Sequence, residues 1–297
     1  MNIRIGSRGS DLALWQAHFV EKELKKLGHQ VSIKIIETKG DRIQDLSFDK
    51  IEGKGFFTKE IENALLDNSI DLAVHSHKDL ETEQPKGLKI AAVSYRENPT
   101  DQLLIRKSSA DKSELLEIIK NGIVGTSSAR RKSQLLRLRP DVVIKDLRGN
   151  VPTRINKLRE GQYDAIVLAT AGIKRLDLDL SDLVCVELAP TQFVPAPAQG
   201  VLGLQIRAND NALESALEPM HHKDVAAAIA IERGVLKLLN GGCQLPLGVF
   251  AVKESDKWQV EVSHSHAATS PSNLKTYSFK EEEGIAEHIV ADIQGRG

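Results

Sequence analysis

Short apolar runs alternate with amphipathic runs of helical spacing through more than the first half of this 297-residue chain. The apolar runs predict strands, and most are followed by a run whose apolar residues recur at the period of a helix. This alternation is typical of α/β units in which helices cover both faces of a mostly parallel sheet. The predicted strands lie at residues 2–5, 31–37, 70–75, 88–93, 101–106, 123–125, 142–147 and 165–169, and the predicted helices at 11–27, 58–68, 113–120, 128–138 and 151–160.

A proline-rich segment and a later change of pattern divide the chain into domains. Residues 190–200 (PTQFVPAPAQG) contain three prolines, which stiffen the chain and do not fit a central strand. We therefore expect a crossing between domains there, followed by a returning strand at 203–208. After Pro219 the pattern predicts a small α+β domain, with helices at 224–239 and 284–294 and strands at 258–264 and 274–280. The predicted division is residues 1–97 with 198–218, residues 98–197, and residues 219–297.

Composition and charge narrow the class of protein. The formal net charge is -1 and the pI is about 6.8, which argues against attraction of the whole surface to nucleic acid or to an anionic membrane. The start of the chain lacks the apolar region and cleavage site of a signal peptide, and no run has the ~18 apolar residues of a membrane span. Two cysteines predict no disulfide framework, so we expect a soluble cytoplasmic protein with reduced thiols.

Positive charge is concentrated in one stretch, from Thr126 to Arg159. Ten cations against two acids leave a local charge of +8 in a chain whose total is -1. A solvated helix face explains most charge runs, and it is the interpretation chosen for four of these side chains, Arg137, Arg139, Lys157 and Arg159. Arg130 and Arg131 fit that interpretation poorly, because cations at a helix N-terminus oppose the helix dipole. They are more easily accommodated if an anion binds there.

Two turns in this stretch have the composition of an anion site. Residues 125–128 (GTSS) follow a predicted strand and open a helix, where free backbone N–H groups and hydroxyls bind carboxylate or phosphate. Arg130 and Arg131 add planar groups that can hold a carboxylate at two points. A second strand-to-helix turn, Arg148-Gly149-Asn150, repeats the arrangement, and Arg154 lies one turn into its helix. Since α/β sheets bind ligands at the carboxyl ends of strands, we predict an anion site here.

A third turn, at residues 74–80 (VHSHKDL), follows a predicted buried strand. His75 and His77 alternate on one strand face and could suggest a metal, but without a third ligand of clear spacing we predict none. Asp79 could be a helix N-cap or the ion-pair partner of Lys78. Alternatively, Asp79 is a catalytic carboxylate that stabilises a cation or transfers a proton.

The two cysteines and the N-terminal turn complete the candidates. Cys243 lies in a glycine-flanked turn (GGCQLP, 241–246), where an accessible thiol is a candidate for covalent attachment. Cys185, within an apolar stretch, is expected to be a small buried hydrophobic residue. At the turn after the first strand, Ser10 can cap the following helix by itself, whereas Arg8 opposes the helix dipole as Arg130 does.

Together these motifs resemble one family closely, the hydroxymethylbilane synthases, also called porphobilinogen deaminases. The matching pieces occur in the family's order along almost the whole chain, so the set is far more specific than any single motif. They are RIGSRGSDLALWQA (4–17), TKGD (38–41), GKGFFTKE (53–60), AVHSHKDL (73–80), VGTSSARR (124–131), LRGNVPTR (147–154), YDAIVLATAGIKRL (163–176), PAPAQG (195–200) and GGCQLPLG (241–248).

The resemblance implies a cytoplasmic, monomeric transferase of haem and other tetrapyrrole biosynthesis. Its substrate would be porphobilinogen, four units of which are joined with release of ammonia on a dipyrromethane cofactor bonded to the cysteine that matches Cys243. The implied fold has two periplasmic-binding-protein-like lobes with mixed, mostly parallel sheets, plus a small α+β C-terminal domain. Asp79 and Lys78 match catalytic positions, and Asp79 would stabilise the cationic azafulvene left by ammonia. The implied cofactor-binding residues are Lys78, Asp79, Thr126, Ser128, Arg130, Arg131, Arg148 and Gly149, and the substrate-binding residues are Arg8, Ser10, Arg148, Asn150, Arg154, Arg175 and Gln199.

Some positions depart from the family pattern. His77 stands where many relatives have Met, Ala198 where Gly usually precedes Gln199, and Gln205 where an acid is common. Two other classes remain as alternatives. A two-lobed solute-binding protein would share the fold but would normally be exported. A nucleic-acid-binding protein would need aromatic stacking platforms, whereas aromatic residues are 4% of this chain and none lies in the basic stretch.

Overall fold

The computed structural model describes residues 1–42, 58–242 and 244–295. Contacts divide the chain into two compact units, Met1–Glu97 with Gly200–Ala227, and Asn98–Gln199 with Ala228–Gly297. The predicted division into residues 1–97 with 198–218, residues 98–197 and residues 219–297 stays a prediction.

Most of the predicted helices and strands are present in the predicted order, whereas the elements at 39–42, 170–176, 183–188, 211–217 and 247–254 are not predicted. The strands are β1 (Asn2–Ser7), β2 (Gln30–Ile35), β3 (Leu72–Ser76), β4 (Leu88–Val93), β5 (Asp101–Arg106), β6 (Ile123–Gly125), β7 (Val143–Lys145), β8 (Ala165–Ala169), β9 (Leu183–Leu188), β10 (Leu202–Arg207), β11 (Leu247–Glu254), β12 (Lys257–His264) and β13 (Asn273–Phe279). The helices are α1 (Asp11–Lys26), α2 (Lys39–Arg42), α3 (Lys59–Leu66), α4 (Ala129–Leu138), α5 (Val151–Arg159), α6 (Thr170–Leu176), α7 (Asn211–Leu217), α8 (Lys223–Leu238) and α9 (Ile285–Ile293).

In the first unit, the described residues form a five-stranded sheet in the order β2-β1-β3-β10-β4. Strand β1 is parallel to β2 and β3, whereas β10 is antiparallel to β3 and β4, so four strands share one direction. Leu72 and Val74 face a core that contains Val20 of α1, while Ala73 faces the core that contains Leu65 of α3. Helices therefore cover both faces, as the alternation of the sequence predicts.

In the second unit, the described residues form a sheet with the same plan, in the order β7-β6-β8-β5-β9. Strand β6 is parallel to β7 and β8, and the reversed strand is β5, which is antiparallel to β8 and β9. Leu135 of α4 packs against one face and Leu158 of α5 against the other. The same unit contains the antiparallel sheet β11-β12-β13. The carboxyl ends of β6 and β8 thus lie at one edge of the larger sheet.

Two local expectations are wrong. The predicted helix at 113–120 is a short 3-10 turn at Leu115–Glu117, in which Leu116 has a left-handed φ of 64°. The Asp111 carboxylate accepts hydrogen bonds from the N–H and hydroxyl of Ser113 at 3.0 and 2.6 Å, and this local bonding competes with a helix. Cys185, expected to be buried, is exposed because β9 is an edge strand whose alternate side chains face solvent.

Candidate functional site

The turn after β3 carries Lys78 and Asp79 in the first unit. A 3-10 helix, His77–Asp79, follows the buried strand directly. Two hydrogen bonds fix its start, from Gln16 Nε2 to Ser76 Oγ at 2.8 Å and from the His77 N–H to the Val201 carbonyl at 2.9 Å. The turn therefore has a defined position at the carboxyl end of β3. Nothing in the sequence pattern singled out Gln16, which α1 brings to the turn.

Asp79 itself is exposed. It is the last residue of the 3-10 helix, so it does not have the N-cap role considered from the sequence. Within residues 1–42, 58–242 and 244–295, no hydrogen bond or ion pair involves its carboxylate, which excludes a Lys78 ion pair in this structure. Lys78 is half-buried. A carboxylate held on a fixed turn and available to a ligand is suited to stabilise a cation.

Behind this turn lies a buried polar network around His75. Its Nε2 lies 3.0 Å from Gln205 Oε1, and Gln205 Nε2 donates to Glu62 Oε1 at 3.2 Å and to Gln84 Oε1 at 2.8 Å. Burial lowers the pKa of His75 to about 4, against the smaller opposing effect of the Gln205 hydrogen bond. Burial also raises the pKa of Glu62. A neutral His75 bonded to an amide explains this side chain without a metal.

The first turn of the chain carries Arg8 and Ser10, both half-buried. Ser10 occupies the N-cap position of α1 in an extended conformation, but its side chain makes no capping hydrogen bond. The expectation that Ser10 caps the helix is therefore wrong. The backbone is fixed instead by Ser7, whose hydroxyl donates to the Ala13 carbonyl at 3.0 Å.

The turn after β6 in the second unit contains Thr126 and Ser128. The buried Thr126 is held by a bond from its N–H to the Lys145 carbonyl at 2.9 Å, and its hydroxyl accepts from the Ser128 N–H at 3.2 Å. Ser128 is the N-cap of α4, with its hydroxyl 3.5 Å from the N–H of Arg131. This is the strand-to-helix turn that the sequence predicts as an anion site.

The two arginines that open α4 are buried and share one carboxylate. Asp101, fully buried at the start of β5, places Oδ2 2.7 Å from Arg130 Nη1 and Oδ1 2.7 Å from Arg131 Nη2. Burial favours the neutral acid, but the two guanidinium groups outweigh it and hold the pKa of Asp101 below its usual range. Asp101 is not among the residues predicted from the sequence. The available signal was a lone acid at the start of a predicted buried strand, where an unpaired carboxylate is rare.

The second predicted anion turn, residues 148–150, is also well defined. Asn150 caps α5 by accepting from the Thr153 N–H at 2.9 Å. Gly149 has a left-handed φ of +115°, and an added Cβ would lie 2.7 Å from Thr153 Cγ2. Arg154 Nε donates to the Gly149 carbonyl at 2.7 Å. Burial lowers the pKa of the half-buried Arg148, with an opposing effect from Asp146.

Not all of the remaining basic residues are solvated. Arg159 is exposed and forms an ion pair with Asp182, as expected for a surface side chain. Arg139 is only 4% exposed, so its surface interpretation is wrong. Its guanidinium donates to the carbonyls of Leu115 and Ile118 at 2.6 and 2.8 Å.

Arg137 and Lys157 are half-buried and also differ from freely solvated side chains. Arg137 donates to the Gln192 carbonyl, and Lys157 to the Arg148 carbonyl at 3.1 Å. Three of the four side chains chosen as surface charge therefore hold loops in place.

Two predicted substrate residues lie deep in the second unit. Arg175, on α6, is buried. Gln199 is fully buried, and its Nε2 donates to the Pro99 carbonyl at 2.8 Å and lies 3.1 Å from Asp101 Oδ1. Cys243 lies outside the described residues.

The donor set of the second unit fits a ligand that carries several carboxylates. Two guanidinium groups share one carboxylate, which leaves a surplus positive charge in a buried place. The capped N-termini of α4 and α5 follow the carboxyl ends of the parallel strands β6 and β7 in the same unit. These features of the second unit are typical of an α/β protein with a site for a polyanionic small molecule.

Comparison with known proteins specifies this class. The family described as porphobilinogen deaminase, dipyrromethane cofactor binding domain, matches residues 3–215. A porphobilinogen deaminase of Nitratidesulfovibrio vulgaris is 48% identical over 258 residues, covering 85% of this chain and 79% of the relative. One of Nitratiruptor sp. is 45% identical over 251 residues, covering 84% and 79%. The chain therefore belongs to the porphobilinogen deaminase family, the hydroxymethylbilane synthases, which are transferases that use a dipyrromethane cofactor.

Solved structures of periplasmic proteins resemble the chain more distantly. An arginine-specific periplasmic binding protein of Salmonella typhimurium gives a TM-score of 0.42 at 13% identity, covering 76% of this chain and 93% of that protein. The periplasmic VFT2 domain of BvgS from Bordetella pertussis gives 0.43 at 13% identity, covering 78% and 93%.

Proposed function

We propose that this chain joins four porphobilinogen molecules head to tail into hydroxymethylbilane, releasing one ammonia at each coupling. We also propose which residues bind the cofactor, which bind the substrate and which act at the reacting atoms. The observation that carries the assignment of roles is the buried pair Arg130 and Arg131 with a single carboxylate between them. A site with surplus buried positive charge requires an anionic ligand, and the acetate and propionate groups of pyrroles supply carboxylates.

The cofactor would be held mainly by the second unit. When bound, dipyrromethane supplies a covalently tethered primer with its own acetate and propionate groups. Arg130 and Arg131 would bind these carboxylates through the N–H groups that face away from Asp101. The remaining proposed contacts are the hydroxyls of Thr126 and Ser128, the turn of Arg148 and Gly149, and, from the first unit, Lys78 and Asp79. Cys243 would form the thioether.

Asp79 and Lys78 would act at the reacting atoms. Loss of ammonia from the aminomethyl group of porphobilinogen leaves a cation on the substrate, and the Asp79 carboxylate would stabilise it. An opposite charge about 4 Å away contributes about 4 kcal/mol at an effective dielectric of about 20. The same carboxylate can take up and return protons, while the Lys78 ammonium can bind a substrate carboxylate.

The incoming substrate would be bound by planar and polar side chains that the family resemblance implies. These are Arg8, Ser10, Arg148, Asn150, Arg154 and Arg175, and Gln199 belongs to the same predicted set. Arg154 is supported by its bond to the Gly149 carbonyl, which orients the side chain at the turn. Asn150 is supported by its place at the N-terminus of α5.

We further propose a cytoplasmic monomer of three domains that binds neither nucleic acid nor membranes. The near-zero net charge and the low aromatic content support the absence of a nucleic-acid partner. Of the helices within the described ranges, none has the length and apolar content needed to span a bilayer.

Intact mass of the purified protein tests the proposal. Wild-type protein expressed with porphobilinogen available should exceed its sequence mass by one dipyrromethane. Cys243→Ala should abolish the excess and the turnover. The matched control is Cys185→Ala, because Cys185 is an exposed thiol and its loss should leave the excess unchanged. An unmodified wild-type chain, or an excess that disappears with Cys185, would contradict the proposal.

A further inference from the structure

We infer that Asp101 is a positioning residue for the Arg130–Arg131 pair, which it tunes to accept one ligand carboxylate, and that Gln199 acts indirectly by holding Asp101. This inference rests on the proposed function, since it assumes that the pair binds the carboxylates of the cofactor. It assigns Gln199 a different role from the substrate contact that the family resemblance implies.

The geometry of Asp101 fixes both guanidinium groups at once. Each carboxylate oxygen serves a different arginine: Oδ2 lies 2.7 Å from Arg130 Nη1, while Oδ1 receives Arg131 Nη2 at 2.7 Å and Nε at 3.2 Å. The two Arg131 contacts are charge-assisted hydrogen bonds with defined directions, whereas Arg130 contacts Oδ2 as an ion pair without hydrogen-bond geometry. Loss of this one carboxylate would therefore remove the ionic partner of both arginines.

Backbone carbonyls and one ring complete the fixation. Arg130 Nη1 donates to the Val194 carbonyl at 2.8 Å, and its guanidinium carbon lies 5.9 Å from the centre of the Phe193 ring. Arg131 Nη1 donates to the Val167 carbonyl at 3.0 Å. A guanidinium group has five N–H donors, so each arginine keeps donors beyond those that Asp101 and the carbonyls occupy. These remaining donors can bind a ligand oxygen without displacing Asp101.

The charge balance sets how much anion the pair can accept. Arg130, Arg131 and Asp101 are all buried, and together they carry two positive charges and one negative. Within the parts of the chain that are described, the ion pairs of Arg130 and Arg131 are with Asp101 alone. One surplus charge in a buried place matches one carboxylate, whereas a second would leave uncompensated negative charge. Burial correspondingly lowers the pKa of Arg130, an effect that Asp101 opposes.

Gln199 extends the arrangement away from the ligand. The side chain is fully buried, and its amide nitrogen lies 3.1 Å from Asp101 Oδ1 and 2.8 Å from the Pro99 carbonyl. It thus ties the carboxylate to the backbone that leads into β5. A donor placed behind Asp101 orients the carboxylate toward the arginines, as supporting hydrogen bonds orient ligands in other preorganised sites.

The test measures loading of the cofactor independently of turnover. Apoprotein produced without a porphobilinogen supply is incubated with porphobilinogen, and the fraction of chain with the dipyrromethane mass is followed with time and concentration. Asp101→Asn should load about tenfold more slowly or worse, and should need a higher porphobilinogen concentration for half-maximal loading. Gln199→Met, which keeps the volume and removes the donor, should show the same change by about two- to fivefold.

Asp164→Asn is the matched control. Asp164 lies in the same unit, pairs with Arg106 at 2.7 Å and accepts from the Ile123 N–H at 2.8 Å, but touches neither Arg130 nor Arg131. Its loss should lower the urea midpoint and leave loading unchanged. Wild-type loading by Asp101→Asn, or equal loading defects in Asp101→Asn and Asp164→Asn, would overturn the inference.

Two further outcomes are decisive. If Asp101→Asn does not fold, Gln199→Met decides: normal loading and normal half-maximal concentration in that variant would overturn the inference. If the wild-type apoprotein itself never acquires the dipyrromethane mass, the proposed function fails. This outcome is distinct from failure of the inference about Asp101, which shows only in the variants.

Discussion

The chain reversal at Gly200 gives a stability prediction whose size follows from two matched glycines. Gly200 and Gly28 lie in the same unit and have nearly equal left-handed φ angles, +90° and +84°. A Cβ on Gly200 would lie 2.3 Å from the backbone oxygen of Glu97, whereas a Cβ on Gly28 would meet nothing within 4 Å. The Glu97 N–H also donates to the Gly200 carbonyl at 3.1 Å. This bond holds the Glu97 backbone beside Gly200, so the Glu97 oxygen cannot move away freely.

The losses of unfolding free energy in the two alanine variants should therefore differ only by the cost of the Cβ–oxygen overlap at Gly200. A left-handed alanine costs about 1 kcal/mol, and this applies to both positions. Overlap with fixed backbone at Gly200 adds about 1–3 kcal/mol, because the chain must shift by about 1 Å. We expect Gly28→Ala to lower the free energy of unfolding by about 1 kcal/mol and Gly200→Ala by about 3 kcal/mol.

Urea denaturation followed by circular dichroism measures both losses. The m-values should stay near that of the wild type, because neither change alters the surface exposed on unfolding. Equal losses for the two variants would refute the reasoning, since they would mean that the conformation of the glycine matters and the space around it does not. A loss below about 1 kcal/mol for Gly200→Ala would reject the predicted contact with Glu97.

Two further predictions concern the first unit. Asp79→Ala should lose about 10²–10³-fold in turnover, as for the loss of one preorganised charge, while its urea midpoint stays near that of the wild type because Asp79 is exposed; near-normal turnover would reject its role. The pKa of His75 is about 4 in the folded state and 6.5 in the unfolded state. Between pH 4 and 6.5 the unfolded state therefore binds more protons than the folded state. The free energy of unfolding should fall by about 3 kcal/mol as the pH drops from 6.5 to 4. The raised pKa of Glu62 acts with the opposite sign, because it lowers stability as pH rises above 4.5. If His75 causes the loss of stability in acid, His75→Gln should flatten the acid side of the profile of urea midpoint against pH. An unchanged slope would contradict this origin.

Much of the site's neighbourhood could be predicted from residue patterns. The apolar run that becomes β3 and the polar residues after it place Asp79 at the carboxyl end of a buried strand. The glycine and serine residues before α4, and the Arg148-Gly149-Asn150 turn before α5, likewise appear where the pattern places strand-to-helix turns. These predictions succeed because strand ends, helix caps and glycine turns are determined by residues close together in the chain.

What the sequence by itself determined is therefore most of the helices and strands, the α/β class, the basic turns and the resemblance to one family. The tertiary structure alone decided which charges are paired. Asp101 reaches Arg131 across 30 residues because β5 and α4 lie at the same edge of one sheet.

The same reason explains the wrong expectations. Arg139 is buried because the carbonyls of Leu115 and Ile118 approach it, and Cys185 is exposed because no strand covers the far side of β9 within the described ranges. Local patterns record which residues prefer a helix or a strand, but burial and partnership depend on which distant segments become neighbours, and no residue pattern within one segment contains that information.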